Sequence, residues 1–379
     1  MQKSELSFIV KSYLFWIVVL FTILFFAVKF IPVQKDFLGG GHTNYLKNPY
    51  IWSWGNFDGE HYMAVAQNGY KPLTYFFFPT YPVLIKFFST FFGTSLHSYL
   101  FSGIFVSYAS LVIGLIGFYK LIRLDFKANI ARLSILLLLI FPTSFYFASV
   151  YTESLFFALT IWFFYLARKK NYLIAAVIAG VATTTRVVGI ILPLVLLVEM
   201  LKEKENIFKF KNILSLLISP LGIITYMSFL KAATGNFLEF FSTVSIFGAQ
   251  RESALITLPQ VFYRYIFKVL PSIHTTFFPA IFTPWIEFTV AIFFLAISVW
   301  AFFKLRLSYS IFLLFGYLIP TLSGSFSSLP RYVLILFPAF ILLASNFTKH
   351  KFLLVAFSVI SSILLVISFS LFARGYWVS

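Results

Sequence analysis

The sequence contains no cysteine. That excludes disulfides, thiolate metal sites and cysteine nucleophiles. Charge is also scarce. Only 11% of the 379 residues are charged, and 12 acidic residues face 29 basic ones. No Walker loop, dinucleotide-binding glycine fingerprint or G-x-S-x-G elbow occurs. No H-E-x-x-H spacing occurs, and neither a metal nor a cofactor is expected. No internal repeat or low-complexity linker divides the chain, so residues 1–379 read as a single membrane domain.

What is abundant is apolar and aromatic. Hydrophobic residues make up 60% of the chain, Phe alone occurs 53 times, and the mean hydropathy is +0.92. A water-soluble domain of this length cannot hide that much apolar surface, so the composition calls for lipid as solvent. The reading is an all-α polytopic membrane protein with about eleven spans. They fall near 13–31, 101–122, 132–150, 153–168, 172–186, 187–201, 212–231, 285–303, 308–322, 331–346 and 351–373. The first run is too long for the core of a signal peptide, and no small-x-small site follows it, so it reads as an uncleaved span.

The formal charge of +17 superficially suggests nucleic acid. The Lys and Arg instead form short clusters between apolar runs, as cytoplasmic loops do, and no nucleic-acid partner is expected. Placing the N-terminus in the cytoplasm puts Arg123, Lys127 and Arg132, then Arg168, Lys169 and Lys170, then Lys202, Lys204, Lys209 and Lys211 on that side. Two long segments, 32–100 and 232–284, then face outward. This topology requires that 76–92, with Pro79, Pro82 and Lys86, form an interfacial or re-entrant helix.

The first outer segment is the richest in chemistry. It carries Trp52-Ser-Trp54-Gly-Asn56-Phe-Asp58-Gly-Glu60-His61-Tyr62, then Gln67-Asn68-Gly69-Tyr70. Asp58 fits an N-cap, Glu60 a first-turn acid, and Gly69 the helix stop. Tyr62, Val65 and Ala66 share one face, so this helix can lie on the membrane surface. One reading is that Asp58 only caps the helix and the tryptophans only anchor it. The other is that Asp58 is a base above the bilayer, beside aromatics such as Trp54 and Tyr62 that stack on sugar. A base must keep one oxygen free for its acceptor.

Several blocks resemble a known family. Asn56-Phe-Asp58-Gly-Glu-His-Tyr-Met-Ala-Val-Ala-Gln-Asn-Gly-Tyr70 is similar to the first-loop signature of the GPI mannosyltransferase II (PIG-V) family and its prokaryotic relatives. Phe77-Phe78-Pro79-Thr80-Tyr81-Pro82, Phe141-Pro142-Thr143-Ser144-Phe145, Val150-Tyr151-Thr152-Glu153-Ser154-Leu155, Thr185-Arg186 with Gly189, and Leu329-Pro330-Arg331-Tyr332 follow in family order. The block departs from the family's W-D form by having Phe57 before the acid. The resemblance implies a GT-C glycosyltransferase bundle. Such enzymes take a sugar from a polyprenyl-phosphate carrier on the extracytoplasmic face, using a first-loop acid that corresponds to Asp58. The family's eukaryotic members transfer mannose to a GPI precursor. The acceptor is a lipid, glycan or protein hydroxyl.

The other candidates are ionised residues near the ends of spans. Glu153 either compensates a helix dipole or orients sugar and arginine. Arg186 and Arg331 either snorkel to lipid phosphate or grip the donor phosphate with a planar fork. His61 assists Asp58 or is simply solvated, and Glu60 joins it as a candidate substrate contact. Glu239, Gln250, Arg251, Glu252, Arg264, Lys268 and His274 of the second outer segment shape an acceptor or carrier site without catalytic spacing. The expected activity is an inverting glycosyl transfer, specifically of mannose. A transporter or lipid flippase is the alternative, although no repeat symmetry supports it. A prokaryotic plasma membrane suits the lack of cysteine and the compact build.

Overall fold

A computed structural model describes residues 2–34, 42–93, 95–244, 251–252 and 254–378. Gln250 lies outside the described residues. The first part of the chain forms α1 (Lys3–Phe30), α2 (His42–Lys47), α3 (Pro49–Trp52), α4 (Asp58–Asn68), α5 (Thr80–Phe92) and α6 (Leu96–Ile122). The middle forms α7 (Ala128–Leu139), α8 (Glu153–Arg168), α9 (Tyr172–Thr183), α10 (Ile191–Lys202), α11 (Phe210–Ile218), α12 (Leu221–Thr234) and α13 (Glu239–Ser242). The last part forms α14 (Leu258–Arg264), α15 (Phe278–Lys304), α16 (Leu307–Thr321), α17 (Leu329–Val333), α18 (Phe337–Phe347) and α19 (Lys351–Ala373). Among the described residues no strand forms.

Five helical stretches are long and apolar enough to cross a membrane: α1, α6, α11 running into α12, α15 and α19. Four shorter apolar helices, α7, α9, α16 and α18, stand beside them. Large apolar side chains such as Phe15 and Val18 on α1, and Phe352 and Val355 on α19, are exposed. Only lipid makes such faces tolerable, and the chain is an integral membrane protein with an all-helical polytopic fold.

Helices α8 and α18 form the interior. Nearly every residue from Glu153 to Phe164 is buried, as is Phe337 to Ala344. Inside a bilayer, helices associate through close packing rather than through exclusion of water. Gly114 and Gly117 of α6 show how. A Cβ on Gly114 would lie 2.7 Å from the Phe157 ring, and one on Gly117 would lie 2.9 Å from Ile161 and from Trp162. Without side chains at these two positions, α6 lies directly against α8.

Three expected spans differ in detail. Residues 132–150 are α-helical only to Leu139, because Pro142 disfavours helix at the residue before it. The chain after that break is buried, and its polar groups are satisfied locally. The Ser144 hydroxyl donates to the Leu139 carbonyl at 2.6 Å and accepts from the Trp16 indole at 3.2 Å. The span at 212–231 breaks between α11 and α12 at Ser219-Pro220. The span at 331–346 begins as α17 and resumes as α18 at Phe337. The stretch 76–92 contains a helix of 13 residues, α5, too short to cross a bilayer core upright.

Candidate active site

The helix that carries Asp58 is held by its preceding loop. The Val150 amide donates to the Trp54 carbonyl at 2.8 Å, the Tyr151 hydroxyl donates to the Asn56 carbonyl at 2.9 Å, and the Asn56 amide donates to the Phe372 carbonyl at 2.9 Å. Phe57 adopts φ 56°, an uncommon conformation for a bulky residue. Its ring packs against Phe372 and Trp377, which offsets that local cost. The helix starts one residue earlier than expected: Phe57 occupies the N-cap, and Asp58 is the first helical residue, with no capping bond from the cap side chain. Asp58 is thereby released from capping. The helix stops at Gly69, φ 76°, as its sequence indicated. Tyr62, Val65 and Ala66 share a face, but that face is buried in protein rather than laid on lipid.

The Asp58 carboxylate meets Arg331 from the far end of the sequence. Arg331 Nη1 donates to Asp58 Oδ2 at 2.6 Å. Oδ1 has no partner among the described residues, and the side chain keeps 15% of its exposure. Arg331 itself is buried. Its guanidinium lies 5.4, 5.3 and 5.0 Å from the rings of Tyr146, Tyr151 and Tyr332, a cage that stabilises a cation through the ring quadrupoles. Helix α17 is fixed by the Thr143 hydroxyl, which donates to the Pro330 carbonyl at 2.7 Å. The Phe141–Phe145 block thus positions the Leu329–Tyr332 block.

Glu153, the first residue of α8, is fully buried between two arginines. Arg186 Nη1 donates to Glu153 Oε1 at 2.5 Å, and Arg331 Nε stands 3.5 Å from the same oxygen. Arg186 also donates to the Thr152 hydroxyl at 3.0 Å, and its guanidinium lies over the Tyr332 ring at 5.1 Å. A third arginine completes the group. Arg251 Nη2 donates to the Ser327 carbonyl at 2.8 Å and to the Tyr332 hydroxyl at 3.2 Å. The backbone around Arg251 is stitched to the loop after α16: the Glu252 amide donates to the Ser323 carbonyl, and the Ile256 amide to the Leu322 carbonyl. Gly324 permits this approach. It has φ +87°, and a Cβ there would lie 2.7 Å from Arg264 Nη1.

These groups line one cavity of about 180 Å³. Asp58, Tyr62, Arg186, Arg251, Arg331 and Tyr332 form its polar wall, and Phe76, Phe78, Phe240 and Phe241 part of its apolar wall. The arrangement offers a carboxylate with one open oxygen, a positive wall and an apolar approach. Tyr332 lies on α17, where the Arg186, Arg251 and Arg331 side chains surround its ring. His61 is not in the cavity wall. It stacks on Phe77 at 4.9 Å, and burial lowers its pKa although nearby Asp58 pulls the other way. Glu60 also lies outside the lining. Trp54 is buried against Phe21 and Phe369, its indole donating to the Tyr50 carbonyl, so it cannot stack on a ligand. Among the described residues no group of three or more His, Asp or Glu converges as a metal site would.

The sequence singled out Asp58, Tyr62, Glu153, Arg186 and Arg331, and the fold brings them together. Tyr332 was not chosen as a site residue, and Arg251 was named only as one of seven residues of the second outer segment that shape an acceptor or carrier site. Tyr332 carried a signal, since it closes the Leu329-Pro-Arg-Tyr block. Arg251 carried only its charge.

Residues 77–230 match the family model described as dolichyl-phosphate-mannose-protein mannosyltransferase. The match covers about two fifths of the chain. It includes Glu153 and Arg186, and excludes Asp58, Arg251 and Arg331. It supports a glycosyltransferase of the GT-C superfamily, without singling out the PIG-V family within it. No curated protein matches the chain.

Proposed function

We propose that the protein is an inverting mannosyltransferase that uses a polyprenyl-phosphate sugar as donor. The observation that carries this reading is the single cavity in which Asp58 Oδ1 stands open beside a buried arginine cluster. Asp58 is the general base. An acceptor hydroxyl attacks the anomeric carbon from the face opposite the phosphate and hands its proton to Asp58. The bond between that carbon and the phosphate oxygen breaks, and its electron pair leaves with the lipid phosphate. One displacement inverts the anomeric configuration.

Arg331 holds Asp58 in place through the 2.6 Å bond, and Glu153 fixes Arg331 and Arg186 relative to each other. Arg331 is engaged by two carboxylates, so its first duty is to position the base rather than to grip phosphate. Phe76, Phe78, Phe240 and Phe241 offer an apolar surface to the first isoprene units. Tyr62, also in the wall, presents its hydroxyl and ring to the sugar. The lysine and arginine distribution supports a cytoplasmic N-terminus, which sets the cavity on the extracytoplasmic side.

The test is reconstitution of the purified chain in vesicles with polyprenyl-phosphate mannose and candidate lipid, glycan and peptide acceptors. Release of polyprenyl phosphate together with a mannosylated product of inverted configuration is expected. Movement of the intact donor between leaflets with no cleavage would instead establish the transport reading.

A further inference from the structure

The charges in the site do not balance, and the imbalance has an address. Three arginines and two carboxylates meet at the cavity. Arg186 is matched by Glu153, and Arg331 by Asp58 with Glu153 behind it. Arg251 is buried and meets no carboxylate among the described residues. It reaches one carbonyl and one phenol, and its Nε, like those of Arg331 and Arg306, has no hydrogen-bond partner among the described residues. Neighbouring Arg264 is a useful contrast, because Glu252 pairs with it. A buried cation without a counter-charge is costly, and a guanidinium has five donors to satisfy.

We propose that Arg251 is the primary ligand of the phosphate group of the lipid donor, with the Tyr332 hydroxyl beside it. This assignment rests on the transferase reading but names a residue and a role that the reading does not require. A sugar joined to a lipid through a phosphodiester carries one negative charge, which the surplus guanidinium matches. When the sugar leaves, the phosphate becomes a monoester and gains a second charge. A fork of donors already in place stabilises that growing charge without reorganising.

Farnesyl phosphate, with neutral farnesol as control, is the probe for binding to the purified full chain in detergent. The wild-type protein is expected to prefer farnesyl phosphate. Arg251→Gln is expected to weaken it at least tenfold, Arg251→Lys to recover part of the loss, and Lys71→Gln, at an exposed position outside the cavity wall, to bind as wild type. Unchanged binding in Arg251→Gln overturns the assignment. Absence of any preference in the wild type overturns both this assignment and the lipid-phosphate donor. Binding that depends on Arg251, in a protein that transfers no sugar, sustains the assignment and removes the transferase reading. A second measurement needs no variant. Phenylglyoxal labelling of wild-type Arg251, read by mass spectrometry, is expected to be suppressed by farnesyl phosphate with Arg264 as reference, and equal labelling with and without the ligand counts against the assignment.

Discussion

At the first residue of α8, Glu153 meets Arg186 and Arg331; at the last, Arg168 meets Asp125 in a two-pronged bond of 2.5 and 2.7 Å. These two ends of one helix lie about 22 Å apart at ~1.5 Å per residue. Around Arg168 stands a second ionic group. Arg306 bonds Glu199 at 3.0 Å and Glu203 at 2.8 Å, Ser308 donates to Glu199, and Lys170 bonds Glu205 at 2.9 Å. In that group three cations face four carboxylates, and exposed Lys170 and half-buried Glu203 and Glu205 keep contact with water. At the Asp58 end three cations face two carboxylates around a cavity, with Glu153, Arg251 and Arg331 buried and Asp58 and Arg186 half-buried. The first group staples α8, α10 and α16 together and leaves its ion pairs complete. The second leaves a carboxylate oxygen open and a guanidinium unmatched, which is what a site does when its ligand supplies the missing charge.

The contrast can be broken most severely at Asp58. Asp58→Asn is expected to lower transfer about a hundred- to ten-thousand-fold, the range over which a positioned base acts, with the chain still folded in the membrane. Full activity of that variant in the mannose-transfer assay would remove the base from Asp58. Arg331→Gln comes next. It strands Asp58 and leaves Glu153 to Arg186 alone, and a loss of about 3–5 kcal/mol is expected by thermal unfolding in detergent, together with loss of transfer. An unshifted melting temperature would mean that the ion pair is not structural.

The smallest effect belongs to the other end. Asp125→Asn should cost about 1 kcal/mol or less and leave transfer per folded molecule unchanged. A collapse of activity there would mean that the two ends are coupled.

Much of this was legible because the chain is so apolar. In a sequence with few charges, an acid or arginine beside a span stands out, and Asp58, Glu153, Arg186 and Arg331 were found that way. Their roles were less legible than their identities. Arg331 reads as a phosphate grip until the fold shows it bonded to Asp58, 273 residues away. Trp54 reads as a surface aromatic because its loop is polar, yet tertiary contacts with Phe21 and Phe369 bury it. The start of α4 moved by one residue because a positive φ at Phe57 has no sequence signal outside glycine and asparagine. Arg251 was one of several charges in a long segment without periodicity. Only the bonds from Glu252 to Ser323, from Ile256 to Leu322 and from Arg251 to Ser327 show that it turns inward and meets no carboxylate among the described residues.

The most direct measurement is a structure of the protein with a bound polyprenyl-phosphate sugar. The account predicts the phosphorus within reach of Arg251 and Tyr332, and the anomeric carbon facing Asp58 Oδ1 with room between them for an acceptor hydroxyl. A donor phosphate lodged away from Arg251, or an anomeric carbon turned from Asp58, would contradict it.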